Sequence, residues 1–287
     1  MKSRPVITLD NLTIPGSGGK PILFDIHYKA TGKSKPIVIF CHGFKGFKDW
    51  GAFPLMAELF AAQNVVFIKF NFSHNGTAPG FQQDFADLEA FGKNTFTKEL
   101  DDLGRIIDYA VNSDNVTLEE KDPEQVYLIG HSRGGAIAIL KAAEDPRVKK
   151  LAAWAALNDL GKGWHGERLE NWQREGVIFV NNARTLQQMP LYYSLYEDYI
   201  RAGQRLNVEN AIKKLSVPFT VIHGTDDEAV SFEQALEMKS WNVNIKLHLL
   251  PGVTHTFGSS HPWKGHHLPQ DFEKVLELTK DFFLKKK

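Results

Sequence analysis

The chain has 287 residues, 43% of them apolar and 24% charged, a composition of ordinary globular proteins rather than of disordered or fibrous ones. Lys+Arg and Asp+Glu balance at 34 each, so no global basic field draws nucleic acid or an anionic membrane. The single cysteine, Cys41, excludes an intrachain disulfide and fits a reducing compartment.

The N-terminal stretch from Met1 to Asp10 lacks the apolar core of a secretory signal, and no apolar run approaches the ~18 residues of a membrane span. The expectation is a cytoplasmic, soluble protein. Residues 6–31 alternate in a strand-like way around Gly16-Ser17-Gly18-Gly19 and read as an antiparallel hairpin on a sheet edge. From Pro36 the rhythm changes to apolar strands separated by helical stretches. Strands are predicted at 37–41, 65–70, 125–129 and 151–156, with helices at 50–63, at 97–112 and from 133 onward. The alternation breaks over 158–216, a segment carrying Trp164, Trp172, Tyr192, Tyr193, Tyr196 and Tyr199, and resumes with strands at 219–223 and 245–250 and helices at 231–240 and 270–284. The Lys285-Lys286-Lys287 end reads as a solvated helix terminus, where cations suit the dipole.

Near-continuous apolar strands alternating with helices imply an α/β fold: a mostly parallel, twisted sheet covered by helices on both faces. Residues 1–157 and 217–287 are expected to form one core, and 158–216 an inserted cap or lid. The aromatic content of that cap suggests an aromatic or acyl-lined pocket.

The segment Gly130-His131-Ser132-Arg133-Gly134 joins the strand at 125–129 to an Ala-rich helix. A strand, a G-x-S-x-G turn and a helix make a nucleophile elbow, which exposes the serine at the sheet edge with a helix N-terminus behind it. At either glycine a side chain would collide with the neighbouring strand or helix. A serine hydroxyl needs a base to take its proton and an acid to orient that base. Strand 219–223 runs into Gly224-Thr225-Asp226-Asp227, and strand 245–250 into Pro251-Gly252-Val253-Thr254-His255. The order Ser132, Asp227, His255 is that of nucleophile, acid and base, each just after a strand.

These motifs, together with Cys41-His42-Gly43-Phe44 after the third strand, resemble the α/β-hydrolase superfamily over nearly the whole chain. Within it the chain is similar to the group of cinnamoyl esterases, dienelactone hydrolases and serine aminopeptidases. The resemblance implies a serine esterase in which Asp227, rather than Asp226 or the alternative Asp159, is the acid. It implies an oxyanion hole from the backbone amides of Phe44 and Arg133, with no cofactor and no metal. His255, His261, His266 and His267 match no compact metal-ligand spacing. His42 reads as structural, His131 as packed beside the serine, His74 as a residue at the entrance, and Cys41 as a small buried residue. Arg133 stands where relatives carry Met or Gln, and is suited to an anionic substrate group or to a salt bridge with the cap. The expected substrate is a small-molecule ester, with no nucleic-acid or membrane partner. An aminopeptidase would instead need a cap carboxylate for a free amine, from Glu167, Glu170, Glu175, Glu197 or Asp198.

Overall fold

The computed structural model describes residues 5–81, 84–112 and 119–285; Lys286 and Lys287 of the basic terminus lie outside them. An edge hairpin of β1 (Val6–Pro15) and β2 (Pro21–Lys29) is followed by β3 (Lys35–Cys41), α1 (Phe53–Ala61) and β4 (Val66–Phe70). Then come α2 (Leu88–Gly92), α3 (Phe96–Val111), β5 (Lys121–His131), α4 (Arg133–Glu144) and β6 (Val148–Trp154). The segment 158–216 holds α5 (Gly166–Glu175), a hairpin of β7 (Val177–Asn182) and β8 (Gln187–Tyr192), α6 (Ser194–Ala202) and α7 (Val208–Lys214). The chain closes with β9 (Phe219–Gly224), α8 (Glu233–Trp241), β10 (Lys246–Leu250) and α9 (Gln270–Leu284).

Eight strands form one sheet in the order β1-β2-β4-β3-β5-β6-β9-β10, while β7 and β8 pair separately. Only β2 runs against its neighbours β1 and β4; the pairings from β4 through β10 are all parallel. Side chains alternate between faces along a strand, and both faces here are apolar. Ile37, Ile39 and Cys41 of β3 pack in a core with Leu100, Leu103 and Ile107 of α3 and Ile137 of α4. Val38 and Phe40 pack in the opposite core with Met56 and Phe60 of α1 and Phe272 and Val275 of α9.

Local chemistry sets the element ends. Pro54 in the first turn starts α1 three residues later than the hydrophobic spacing alone predicts. Thr95 caps α3 by accepting from the Lys98 amide, and Asp87 caps the short α2 through the Ala90 amide at 2.9 Å. That one-turn helix falls below what periodicity detects.

The chain leaves β3 toward β4 on one side and returns to β5 on the other, so the strand order reverses between β3 and β5. Their carboxyl ends flank a crevice, the position where open parallel sheets place ligands. Bringing α4 into that crevice requires backbone contact. A Cβ on Gly134 would lie 2.4 Å from the His42 carbonyl oxygen and 2.5 Å from that of Cys41, and one on Gly130 would lie 2.2 Å from the Gly134 oxygen. Gly134→Ala is therefore expected to destabilise the protein by at least about 1–3 kcal/mol, the usual range for overpacking, measured as a lowered midpoint in urea or thermal unfolding; a wild-type midpoint would refute the close packing.

Candidate active site

Ser132 lies between β5 and α4 at φ 56° and ψ −122°, a left-handed conformation for a residue with a Cβ. Such backbone costs roughly 1–3 kcal/mol and persists only where its surroundings over-determine it. Here the Ser132 amide donates to the Trp154 carbonyl at 2.9 Å, and its own carbonyl accepts from Gly135 at 2.9 Å and Leu157 at 3.4 Å. The turn is thus fixed from both β6 and α4.

The loop after β9 carries Asp227, whose side chain is fully buried. Its Oδ1 accepts from the amides of Ala229 (2.9 Å) and Val230 (2.7 Å), and its Oδ2 lies 2.8 Å from His255 Nδ1. His223 from β9 sets Nε2 3.1 Å from the same Oδ2 and 2.9 Å from the Val230 carbonyl. Burial alone would raise this carboxyl, but the hydrogen bonds from His223, His255 and the Val230 amide outweigh it and hold the group well below the usual carboxylate range. Asp227 is therefore ionised, and its Oδ2 can face His255 Nδ1 only across an N–H. That fixes the tautomer and leaves Nε2 of His255 as the acceptor.

His131, the residue before Ser132, reaches from the elbow to this loop: its Nε2 donates to the His255 carbonyl at 2.9 Å and its ring sits 4.8 Å from that of His255. On the other side of Ser132, His42 Nδ1 donates to the Gly43 carbonyl at 2.9 Å, closing the turn that leads to Phe44. Arg133 begins α4, so its amide has no partner within the helix. Among the described residues neither that amide nor the amide of Phe44 bonds to another group of the chain.

The Arg133 side chain does not enter a substrate space or meet the 158–216 segment as a salt-bridge partner. It is 11% exposed, stacks 4.1 Å from the Phe44 ring centroid and 5.2 Å from that of Phe96, and lies 3.6 Å from Glu99 of α3. Burial pushes Glu99 upward, while Arg133 and the Asn94 side-chain amide at 2.6 Å pull the other way. Below the same loop, Lys48 bonds Asp25 at 2.7 Å and Asp49 at 2.5 Å, Lys69 bonds both carboxylates, and the Lys48 amide donates to Asn71 at 2.6 Å. This buried network ties loop 42–50 to β2 and β4; nothing in the periodicity of the sequence announced it.

Ser132 and His255 line one cavity of about 560 Å³, walled by Phe44, Trp50, Phe53 and His131, by Glu228, and by Asn182, Ala183 and Arg184 of the β7–β8 turn. The expected aromatic lining from 158–216 is not found there. Trp164, Trp172, Tyr193, Tyr196 and Tyr199 pack on one another and, with Trp164 stacked on Phe96, extend the core on the α3 face of the sheet. Only the hairpin turn reaches the cavity.

Other candidates resolve in the same way. Asp159 accepts from the Gly161 amide and Tyr199 hydroxyl and lines a separate depression, away from Ser132. Asp226 is exposed in its turn. Asp198 is buried against Thr97 and Arg201, and Glu167, Glu170, Glu175 and Glu197 do not line the cavity. His74 is buried on Ser73 rather than placed at the entrance. Burial raises the Cys41 thiol, which keeps it protonated. His261 accepts from the Gly51 amide, and His266 and His267 are exposed.

Asp10, Asp25 and His27 bring donor atoms within 4.8 Å of one another, the grouping among the described residues that could hold a metal. Lys48 and Lys69 already neutralise Asp25, so a cation there would stand beside two ammonium groups.

A strained serine at a strand–helix junction, with a buried carboxylate–histidine pair on the same cavity, defines a hydrolase-type site on a doubly covered parallel sheet. The chain belongs to the alpha/beta hydrolase family, whose model matches residues 38–265. It is 24% identical over 270 residues to a bifunctional esterase/perhydrolase of Acinetobacter calcoaceticus, covering 80% of this chain and 89% of that protein. The fold is similar to that of Est1E from Butyrivibrio proteoclasticus with ferulic acid bound (TM-score 0.71, 22% identity, 95% and 98% of the two chains). It is also similar to the alpha/beta hydrolase GrgF from a Penicillium species (TM-score 0.70, 16% identity, 97% and 98%).

Two measurements follow. Burial, with the neighbouring His255 ring, holds His131 down at about 3, and burial with Arg133 nearby holds His42 at about 4, against 6.5 for an unperturbed histidine. The unfolded chain therefore binds more protons than the folded one below about pH 6.5, and each histidine removes roughly 1 kcal/mol of stability per pH unit from there toward pH 4. The thermal midpoint should fall steadily between pH 6.5 and 5; a flat profile would contradict the buried neutral state. Arg133→Met leaves Glu99 buried without its cation and is expected to lose about 3–5 kcal/mol, much of it recovered in Arg133→Met/Glu99→Gln, as read by chemical unfolding.

Proposed function

We propose that the protein is a serine hydrolase that cleaves a small carboxylic ester through an acyl-enzyme, with Ser132, Asp227 and His255 as its catalytic triad. The observation that carries this reading is the 2.8 Å Asp227–His255 pair, which orients an imidazole on the cavity that also holds the strained Ser132.

In this mechanism Ser132 Oγ attacks the ester carbonyl while His255 Nε2 takes its proton, and Asp227 stabilises the imidazolium that forms. The amides of Phe44 and Arg133 bind the tetrahedral oxyanion, each contributing about 3 kcal/mol. His255 then gives its proton to the departing alcohol, which leaves with the C–O bond electrons. A water deprotonated by His255 attacks the acyl-enzyme, and the carboxylic acid and free Ser132 result.

Support for an ester comes from the esterase/perhydrolase relative and from the ferulic acid held by a structural neighbour. A peptidase reading finds less support, because none of the five cap carboxylates that would hold a free amine lines the cavity. The substrate is taken to be a small molecule met in the cytoplasm; among the described residues no helix is long and apolar enough to cross a membrane.

Ser132→Ala is expected to abolish turnover of p-nitrophenyl acetate, and Asp227→Asn to lower kcat by roughly 10⁴-fold through the wrong histidine tautomer. Wild-type rates in the serine variant, measured by nitrophenolate release, would overturn the assignment.

A further inference from the structure

We infer that His223 is a positioning residue for the proposed hydrolysis: it holds the Asp227 carboxylate toward His255 and shares Oδ2 of that carboxylate with it. The inference rests on the hydrolase reading and adds to it a fully buried side chain that lies behind the acid.

His223 is the penultimate residue of β9, four positions before Asp227 and seven before Val230. Its Nε2 lies 2.9 Å from the Val230 carbonyl oxygen and 3.1 Å from Asp227 Oδ2. Both are acceptors, the second an ionised carboxylate, so Nε2 carries the ring proton and divides it between them. The strand thus reaches across the turn that follows it and closes loop 224–230 on its own start. The same loop is fastened to the one that carries His255. The Thr225 amide donates to the Leu250 carbonyl at 3.0 Å, the Asp226 amide to that of Val253 at 3.1 Å, and the Gly252 amide to Thr225 Oγ1 at 2.9 Å. Those bonds set the two backbones. The carboxylate between them is set by the Ala229 and Val230 amides on Oδ1 and by the two histidines on Oδ2.

Packing alone does not account for an imidazole at this position. His223 Nδ1 is buried and has no hydrogen-bond partner. An unpaired buried acceptor is destabilising. The preceding residues of β9, Val221 and Ile222, are buried and apolar, as suits a strand covered on both faces. An apolar side chain at 223 would continue that pattern without leaving a polar atom unmet. What the histidine has and an apolar residue lacks is the N–H on Val230 and Asp227.

Sharing one oxygen has a chemical consequence with a definite sign. A carboxylate oxygen that accepts two N–H bonds is a weaker base than one that accepts a single bond. Without His223, the charge on Oδ2 falls on His255 alone and favours its imidazolium. The free imidazole that must take the Ser132 proton is then reached only at higher pH. The other titratable groups about His255 are untouched by that change. They are Glu228, which accepts from the His255 amide at 3.4 Å, His131, whose ring lies 4.8 Å away, and Lys45, Arg184 and His261 on the cavity wall.

The test follows the His255 ring through a pH titration by NMR, beside the pH profile of kcat/KM for p-nitrophenyl acetate, in wild type and His223→Leu. The leucine variant is expected to move the NMR midpoint and the acid limb of the profile upward together, by at least about half a pH unit. His223→Gln, which keeps an N–H donor of similar reach, should bring both back toward wild type. A histidine of purely structural role would lower activity through loss of folded protein and leave the midpoint where it was. An unmoved midpoint in folded His223→Leu would therefore overturn the proposal. The unmodified protein gives an independent reading: its nitrogen-15 spectrum should show His223 protonated on Nε2 and bare at Nδ1, and the opposite tautomer would overturn the proposal even where the leucine variant fails to fold. Absence of any ester turnover in the wild type would remove the hydrolase reading instead, while the NMR titration still decides the role of His223.

Discussion

Direct backbone contact between the start of α4 and the end of β3 is the constraint on which the site depends. Gly134 rests on the carbonyls of Cys41 and His42, and Gly130 on the carbonyl of Gly134. With a side chain at either place the helix would stand off from the sheet. The serine between them would then lose the left-handed turn that lifts it, because that turn is held by bonds to Trp154 and Gly135 at fixed distances. The loop leading to Phe44 comes as close to the elbow, since a Cβ on Gly43 would lie 2.9 Å from the Cβ of Ser132. Two glycines without positive φ are thus required by proximity, not by backbone freedom.

Around that contact the protein buries several charged groups, each beside an opposite charge or hydrogen-bond donors. Asp227 is surrounded by two histidines and two amides. Arg133 and Glu99 pair beneath the Phe44 ring, and Lys48, Lys69, Asp25 and Asp49 form a closed set under the same loop. Burying such groups is expensive and gives little net stability over apolar packing. They tie the Phe44 loop to β2 and β4 and the Asp227 loop to β9.

Much of this was legible in the sequence, and the reasons differ by element. The strands at β3, β4, β5 and β9 are apolar on both faces, so short runs of Ile, Val and Phe identify them directly. The elbow could be read because its glycines, serine and flanking elements are contiguous. The pairing of Asp227 with His255 could be expected because each follows a strand whose end must lie at the same sheet edge. The hairpin in 158–216 was not legible as such: Phe179 is exposed, and Pro190 interrupts the strand pattern. The aromatic residues of that segment suggested a lining and instead satisfy one another, since composition carries no information on which face of an element a ring occupies. Arg184 was not legible as a cavity residue, because a single arginine in a turn is ordinary until the fold brings it to the wall.

His131 deserves a last consequence. It is adjacent in sequence to Ser132 and bonded through Nε2 to the main chain of His255, 124 residues away. The elbow and the loop of the histidine are thereby joined directly by one hydrogen bond across the sheet edge. The hairpin turn lies outside that linkage, joined to the rest by Lys45 and Gln187. A substitution in the turn can therefore reshape one wall of the cavity while leaving the bond between the elbow and the His255 loop in place.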